Sequence, residues 1–305
     1  MTVGDASRGN HWDERRDSLT VVIPTLNEGE SIRQVLEETK NAGYAQVMVV
    51  DGYSSDNTVE IARAMGANVV EQHGHGKAGA LLTAFRSVST PYLVVIDGDG
   101  SYNPADIARF LPLVGKFDFV KGVRVRNRNM SRLHRLGNTI ISKTFDLLFG
   151  TFIGDVCSGM YLLKTEKVRG LHLDKHPMTV EQEIAAEMVQ AGGLVTTVPI
   201  DYRKRIGGVS KTNTWRQGFR DLLTNFDLAR THNPIILFSA IATSALIPAF
   251  LFLVYASILY IVFSSYHSGL FLAGLILLVL GSQGLTVATI AAMLRRIERR
   301  LATHQ

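Results

Sequence analysis

The sequence predicts an α/β protein with a mainly parallel sheet, followed by a hairpin of two membrane-spanning helices. Three observations predict it. Short apolar runs alternate with stretches of helical spacing from Thr20 to Ile96, which is the rhythm of βαβ units. Two of those runs end on an acid, Asp51 and Asp97, and the carboxyl ends of strands are where open α/β sheets bind ligands. From Ile235 to Phe263 and from Leu270 to Met293 there is no Asp, Glu, Lys or Arg. Each stretch exceeds the roughly 20 apolar residues that cross a bilayer.

In chain order, Thr20-Val21-Val22-Ile23 is a β-branched run ending at Pro24, and Thr25-Leu26-Asn27-Glu28 follows as a loop. Ser31 to Ala42 has helical spacing, with Ile32, Val35 and Leu36 on one face. Val47 to Val50 is a second strand ending at Asp51, and Gly52 to Asn57 has the composition of a turn. A helix from Thr58 through Met65, a strand over Asn68–Glu71 and a helix from Lys77 to Ser87 come next. Leu93 to Ile96 is the fourth strand, and it opens into Asp97-Gly98-Asp99. Two carboxylates this close repel unless a cation lies between them. A hard divalent ion shared with substrate phosphates would serve, although a polar Asp/Gly turn explains the same three residues. Glu28, just past the first strand, adds to the carboxylates expected along one sheet edge.

Gly74-His75-Gly76-Lys77-Ala78-Gly79 fits the formal dinucleotide fingerprint G-x-G-x-x-G. It stands at the third strand, whereas that fingerprint belongs to the first turn of its fold. The glycines are better suited to a loop that carries Lys77 toward a phosphate. His73 and His75 have no third ligand at useful spacing and read as loop residues. Cys157, the only cysteine, excludes an internal disulfide and a Cys-cluster metal site.

The loop between the two apolar stretches lacks Lys and Arg, while Arg216, Arg220 and Arg230 precede them and Arg295, Arg296, Arg299 and Arg300 follow. The positive-inside rule therefore places both termini, and with them the α/β domain, in the cytoplasm. Two spans can pair within one chain or between chains. The formal net charge of +5 suits a lipid bilayer with an anionic leaflet. No zinc-finger or RNP-type signature accompanies it, so nucleic acid is not an expected partner. Residues 1–18 are polar and charged, expected to be a disordered tail without a signal peptide. Trp215, Phe219, Leu222, Leu223 and Phe226 recur at helical spacing. Directly before a span they suggest an interfacial helix lying on the bilayer over 213–233, with the hairpin over 234–294 and a basic tail over 295–305.

Val22-Ile23-Pro24-Thr25-Leu26-Asn27-Glu28, Val50-Asp51-Gly52-Tyr53-Ser54-Ser55-Asp56-Asn57-Thr58, Gly76-Lys77-Ala78-Gly79-Ala80 and Asp97-Gly98-Asp99 stand in order along the chain. Gly122-Val123-Arg124, Asp155-Val156-Cys157-Ser158-Gly159, Val198-Pro199-Ile200 and Arg205-Ile206-Gly207-Gly208-Val209-Ser210-Lys211 follow. This series resembles family 2 glycosyltransferases with a GT-A fold, in the branch similar to dolichol-phosphate mannosyl- and glucosyltransferases. The resemblance implies a Rossmann-like nucleotide-diphospho-sugar transferase domain over 19–212. It implies transfer of mannose or glucose, with inversion, from a GDP- or UDP-sugar to a polyprenyl (dolichyl) phosphate.

The resemblance also implies roles. Pro24, Glu28 and Asp51 would line the pocket for base and ribose, and Lys77 would bind the donor. Asp97 and Asp99 would hold its diphosphate directly or through Mg²⁺ or Mn²⁺. Asp99, Asp155, Arg124 and Arg205 form the expected catalytic set. Arg205, Ser210, Lys211 and Arg135 would hold the acceptor phosphate. Where this chain has Asp51-Gly52 many relatives read Asp-Asp, and where some have Gln it has Ser101, which leaves a third metal ligand open. A phosphate nucleophile is already ionised, so no base is required. Glu181 and Glu183 accordingly read as acids favoured by a helix dipole, with a sugar or base contact as the other reading. A hydroxyl acceptor would need one of them as a base. A non-catalytic membrane protein keeping the fold for binding is the remaining alternative, and Asp97 and Asp99 count against it.

Overall fold

The computed structural model describes residues 13–125, 132–171, 173, 179–207 and 214–302. The chain divides into two compact units, Met1–Asn225 and Phe226–Gln305.

The first unit is built on β1 (Leu19–Thr25), α1 (Ile32–Asn41), β2 (Val47–Asp51), α2 (Thr58–Ala64), β3 (Asn68–Glu71), α3 (Gly76–Ser87) and β4 (Tyr92–Val95). Two 3-10 turns, Pro104–Arg109 and Leu111–Leu113, lead to β5 (Phe119–Arg124). After it come α4 (Arg132–Phe149), β6 (Tyr161–Lys164), α5 (Thr165–Val168), α6 (Val180–Gln190), β7 (Val195–Ile200) and α7 (Thr214–His232). The seven strands form one sheet in the order β3-β2-β1-β4-β6-β5-β7. Neighbours are parallel except where β6 runs antiparallel between β4 and β5. The sheet is thus mixed, with its parallel half where the βαβ rhythm was legible.

β1, β2 and β4 are mostly apolar runs because both faces of the sheet are covered there. On one face Val21, Ile23, Val49, Val94 and Ile96 pack with Ile32, Val35 and Leu36 of α1 and with Ile107 and Phe110. Burying each such side chain stabilises by about 1.5–3 kcal/mol. α3 packs against β1 and β2. The expected disorder of residues 1–18 does not extend to 13–17, which are helical. Arg15 ties them down by donating from Nη1 to the Leu111 carbonyl at 2.8 Å, and Ser18 Oγ closes on the Arg15 carbonyl at 2.7 Å.

The boundary between the units falls inside α7, not at either end of the helix expected over 213–233. Within the first unit, Asn225 is buried and donates from Nδ2 to the Ile141 carbonyl of α4 at 2.8 Å. Phe219 and Leu223 of the same helix stay exposed.

The second unit holds α8 (Pro234–Phe263) and α9 (Ser268–Ala302). Both are long and apolar enough to cross a membrane, with mean hydropathy 2.5 and 2.1 over an 18-residue stretch within Pro234–Phe263 and Ser268–Leu294. Ala242, Ala249 and Ala256 are buried at heptad spacing on α8. Gly281 and Gly284 of α9 lie against Ala242, and Gly274 against Leu253 and the Ala249 carbonyl. Small residues at such a seam let two helix backbones approach closely in an apolar medium. The expected separate tail over 295–305 is not separate: α9 continues to Ala302, because Arg and Leu are good helix formers and no Gly or Pro interrupts them.

Candidate active site

The Asp97-Gly98-Asp99 loop is held at both ends. Ile96 N donates to the Val22 carbonyl at 3.0 Å, and Ser31 Oγ at the start of α1 donates to the Gly98 carbonyl at 2.8 Å. Asp99 Oδ1 accepts from Ser101 N at 2.9 Å and Ser101 Oγ at 2.5 Å. Ser101 therefore braces Asp99 and completes a polar turn. Asp99 Oδ2 faces Arg205 Nη1 at 3.7 Å, and Arg205 also forms an ion pair with Glu28. Lys77 Nζ lies 2.5 Å from Asp97 Oδ1 and 2.5 Å from Glu181 Oε1. Four carboxylates from three segments thus share two cationic side chains.

The electrostatics follow from this crowding. Burial and the neighbouring Asp99 push Glu28 up from the ordinary carboxylate range against the pull of Arg205. Burial likewise raises Asp97 against Lys77. Burial alone would lower Lys77, but Asp97 and Glu181 outweigh it and hold the ammonium well above its usual value. Glu181 is lowered because Lys77 and Lys121 together overcome its burial.

Local sequence explains the placement. Gly74 and Gly76 have φ of 93° and 65°, conformations that favour glycine, and Gly79 packs against the backbone of His73 and Gly74. The glycine series thus turns the chain tightly into α3 and sets Lys77 in its first turn. His75 occupies the N-cap position of that helix without a side-chain capping bond, and among the described residues no group of three or more His, Cys, Asp or Glu gathers as a metal cluster. Gly159 touches Asp97 so closely that a Cβ there would overlap its carboxylate.

Nine of the expected site residues fall into three sets. Glu28, Lys77, Asp97, Asp99 and Arg205 come together. Asp51 is turned to its own loop, accepting from Ser54 N at 2.8 Å, Ser54 Oγ at 2.6 Å and Thr25 Oγ1 at 3.3 Å. Pro24 lies beside it on β1, in register with Val50. Arg124 and Asp155 satisfy each other: Nε and Nη2 donate to Oδ2 and Oδ1, both at 2.7 Å, and Arg124 N adds a third bond at 3.2 Å. Arg135 is exposed on α4 and makes no ion pair with these carboxylates among the described residues. Ser210 and Lys211 lie outside the described residues. Sequence reasoning missed Glu181 as a partner of Lys77. Its only signal was an acid at a helix start, which the dipole also explains.

The matches to known proteins agree with this fold. The family model for glycosyl transferase family 2 matches residues 20–170. A glycosyltransferase of Haloferax volcanii, AglJ, is 35% identical over 232 residues, covering 74% of this chain and 76% of that protein. The dolichyl-phosphate hexose transferase of the same organism is 33% identical over 196 residues, covering 63% of this chain and 85% of that protein. Among solved structures, glucosyl-3-phosphoglycerate synthase from Mycobacterium tuberculosis, crystallised with Mn²⁺, UDP and phosphoglyceric acid, superposes with a TM-score of 0.58. It is 20% identical, and the match covers 70% of this chain and 82% of that one. With a GT-A-like sheet, an acidic loop at the end of β4 and these relatives, the chain belongs to glycosyl transferase family 2 and is a glycosyltransferase.

Proposed function

We propose that the protein transfers a hexose, mannose or glucose, from a GDP- or UDP-sugar to a polyprenyl phosphate at the cytoplasmic face of a membrane, with inversion. The observation that carries this reading is the shared-cation cluster of Glu28, Asp97, Asp99 and Glu181 with Lys77 and Arg205. It sets two cations beside the strand end at which α/β sheets take ligands. The relative named as a dolichyl-phosphate hexose transferase and the two helices able to span a membrane support a lipid acceptor.

The carboxylates of Asp97 and Asp99 offer the hard oxygens that Mg²⁺ takes together with substrate phosphates, and Asp99 Oδ2 faces Arg205 Nη1 at 3.7 Å. An ion held there would act as a Lewis acid toward the leaving diphosphate. The chain's own residues do the rest. Lys77, at the start of α3, binds the diphosphate as a point charge, and Arg205 offers a planar fork to the acceptor phosphate. Holding donor and acceptor in line supplies much of the rate.

A hydroxyl acceptor would require a base, and Glu181 is the carboxylate in reach of the cluster. Lys77 and Lys121 keep it ionised below the ordinary range, which makes it a weak base near neutral pH. Glu181 is thus poorly suited to serve as that base. The test is an extraction assay on detergent-purified protein with radiolabelled UDP-glucose or GDP-mannose, with and without polyprenyl phosphate and EDTA. Label entering the organic phase only with the lipid phosphate, and lost with EDTA, is the expected result. Label transferred instead to a glycolipid or glycan hydroxyl would overturn the acceptor assignment.

A further inference from the structure

Lys121 has no part in the reaction described so far, yet it is buried without any exposed surface in the middle of β5. Its Nζ finds no hydrogen-bond partner among the described residues. It rests over the Tyr161 ring at 4.4 Å from the centroid and 5.8 Å from that of Phe119. An unsatisfied buried ammonium is expensive, and an apolar side chain would fill β5 without that cost. The charged and titratable groups around it are Glu181 from α6, Lys77 from α3, Tyr161 from β6, and Asp155 and Cys157 from the segment before β6. Lys121 is thus a second cation acting on the Glu181 carboxylate that Lys77 holds at 2.5 Å.

Lys77 bridges two carboxylates, Asp97 and Glu181. To reach a diphosphate it must loosen its hold on Glu181, leaving a buried carboxylate with one cation fewer. We propose that Lys121 is a positioning residue: its buried ammonium keeps Glu181 ionised while Lys77 turns to the donor diphosphate. This rests on the sugar-nucleotide reading given above. Without Lys121, Glu181 would draw Lys77 back, and donor binding would weaken while acceptor binding would not. Burial lowers the Lys121 ammonium to about 8, against the opposing pull of Glu181 and Asp155. Donor use by the native enzyme should then decline as pH rises through that region.

The folded chain binds this proton less tightly than the unfolded chain does. Between about pH 8 and the ordinary lysine value of 10.5 the unfolded state holds more protons, so stability rises with pH in that window. At neutral pH, replacing Lys121 by an apolar isostere should leave the fold as stable or more so. That separates a positioning role from a purely structural one.

The experiment compares native protein with Lys121→Met and Lys121→Arg in detergent, measuring Tm at pH 7 and transfer kinetics from pH 6 to 9.5. The expected result for Lys121→Met is an unchanged or higher Tm. Its KM for the sugar nucleotide should rise by about tenfold, the equivalent of one pKa unit. Its KM for polyprenyl phosphate should be unchanged, and the decline above pH 8 absent. Lys121→Arg, which stays charged, should keep donor affinity at pH 9. A Lys121→Met protein with native donor KM and the same decline at high pH would overturn the inference. If the variants do not fold, native protein with a flat donor profile from pH 7 to 9.5 overturns it as well. Native protein that transfers no sugar from any nucleotide donor would instead sink the functional reading.

Discussion

At the scale of single residues, Arg124 and Asp155 show how a resemblance and a geometry can assign different work. Both belong to the expected catalytic set, yet all of the carboxylate's capacity facing Arg124 is spent on a buried, two-pronged pair. Removing one partner of such a pair leaves an uncompensated charge, at a cost of about 3–5 kcal/mol. Asp155→Leu should therefore lower Tm by many degrees, and its loss of transfer should follow the fraction unfolded. Native stability with abolished turnover would return Asp155 to the reacting sugar. Gly159 gives a sharper local test. A Cβ there would collide with the Asp97 carboxylate, so Gly159→Ala should displace Asp97. The expected result is a loss of sugar-nucleotide affinity of about tenfold or more by equilibrium titration, the equivalent of about 1.4 kcal/mol. Unchanged affinity would show that Asp97 does not meet the donor.

At the scale of elements, α4 and α7 carry an apolar face that the core does not use. Leu133, Leu136, Ile140 and Leu147 of α4, with Phe152 just after it, are exposed, as are Phe219, Leu223 and Phe226 of α7. The helical period puts the residues of α4 on a broad stripe, and Asn225 and Ile141 join the two helices. Exposed apolar patches of this kind mark interaction surfaces, and a bilayer interface suits amphipathic helices. Replacing Leu136 and Ile140 together by Ser should reduce flotation of residues 1–230 with anionic liposomes several-fold while leaving Tm nearly unchanged. Equal flotation of both proteins would remove α4 from the membrane surface. The sequence marks α7 for this role by its place directly before an apolar span, a flank that α4 lacks.

At the scale of the whole molecule, the catalytic sheet and its site lie within Met1–Asn225. The sheet of seven strands, its covering helices and the ion pairs of the site are all contained there. A chain trimmed after Arg230 should fold and bind a nucleotide sugar, seen as ligand-dependent protection in thermal unfolding. An unfolded fragment would show that the catalytic unit requires α8 and α9. The apolar helix pair α8 and α9 has its own packing logic in the alanine and glycine seam.

What the sequence determined by itself was whatever depends on local pattern. Apolar runs and helical spacing located β1 to β4 and α1 to α3, because buried parallel strands and amphipathic helices have distinct periods. Uninterrupted apolar length located α8 and α9. The second half of the sheet was not legible in the same way. β5 contains Lys121, Gly122 and Arg124, and β7 contains Pro199, so neither has the composition of an interior strand. The tertiary structure alone decided which charges meet. Glu181 stands 104 positions after Lys77 in this numbering, and Arg205 reaches Glu28 across 177 positions. Ion pairing is a property of distance in space and burial, to which sequence separation gives no guide. For the same reason nothing in the local pattern marks Lys121, which folding buries completely within the electrostatic reach of Glu181.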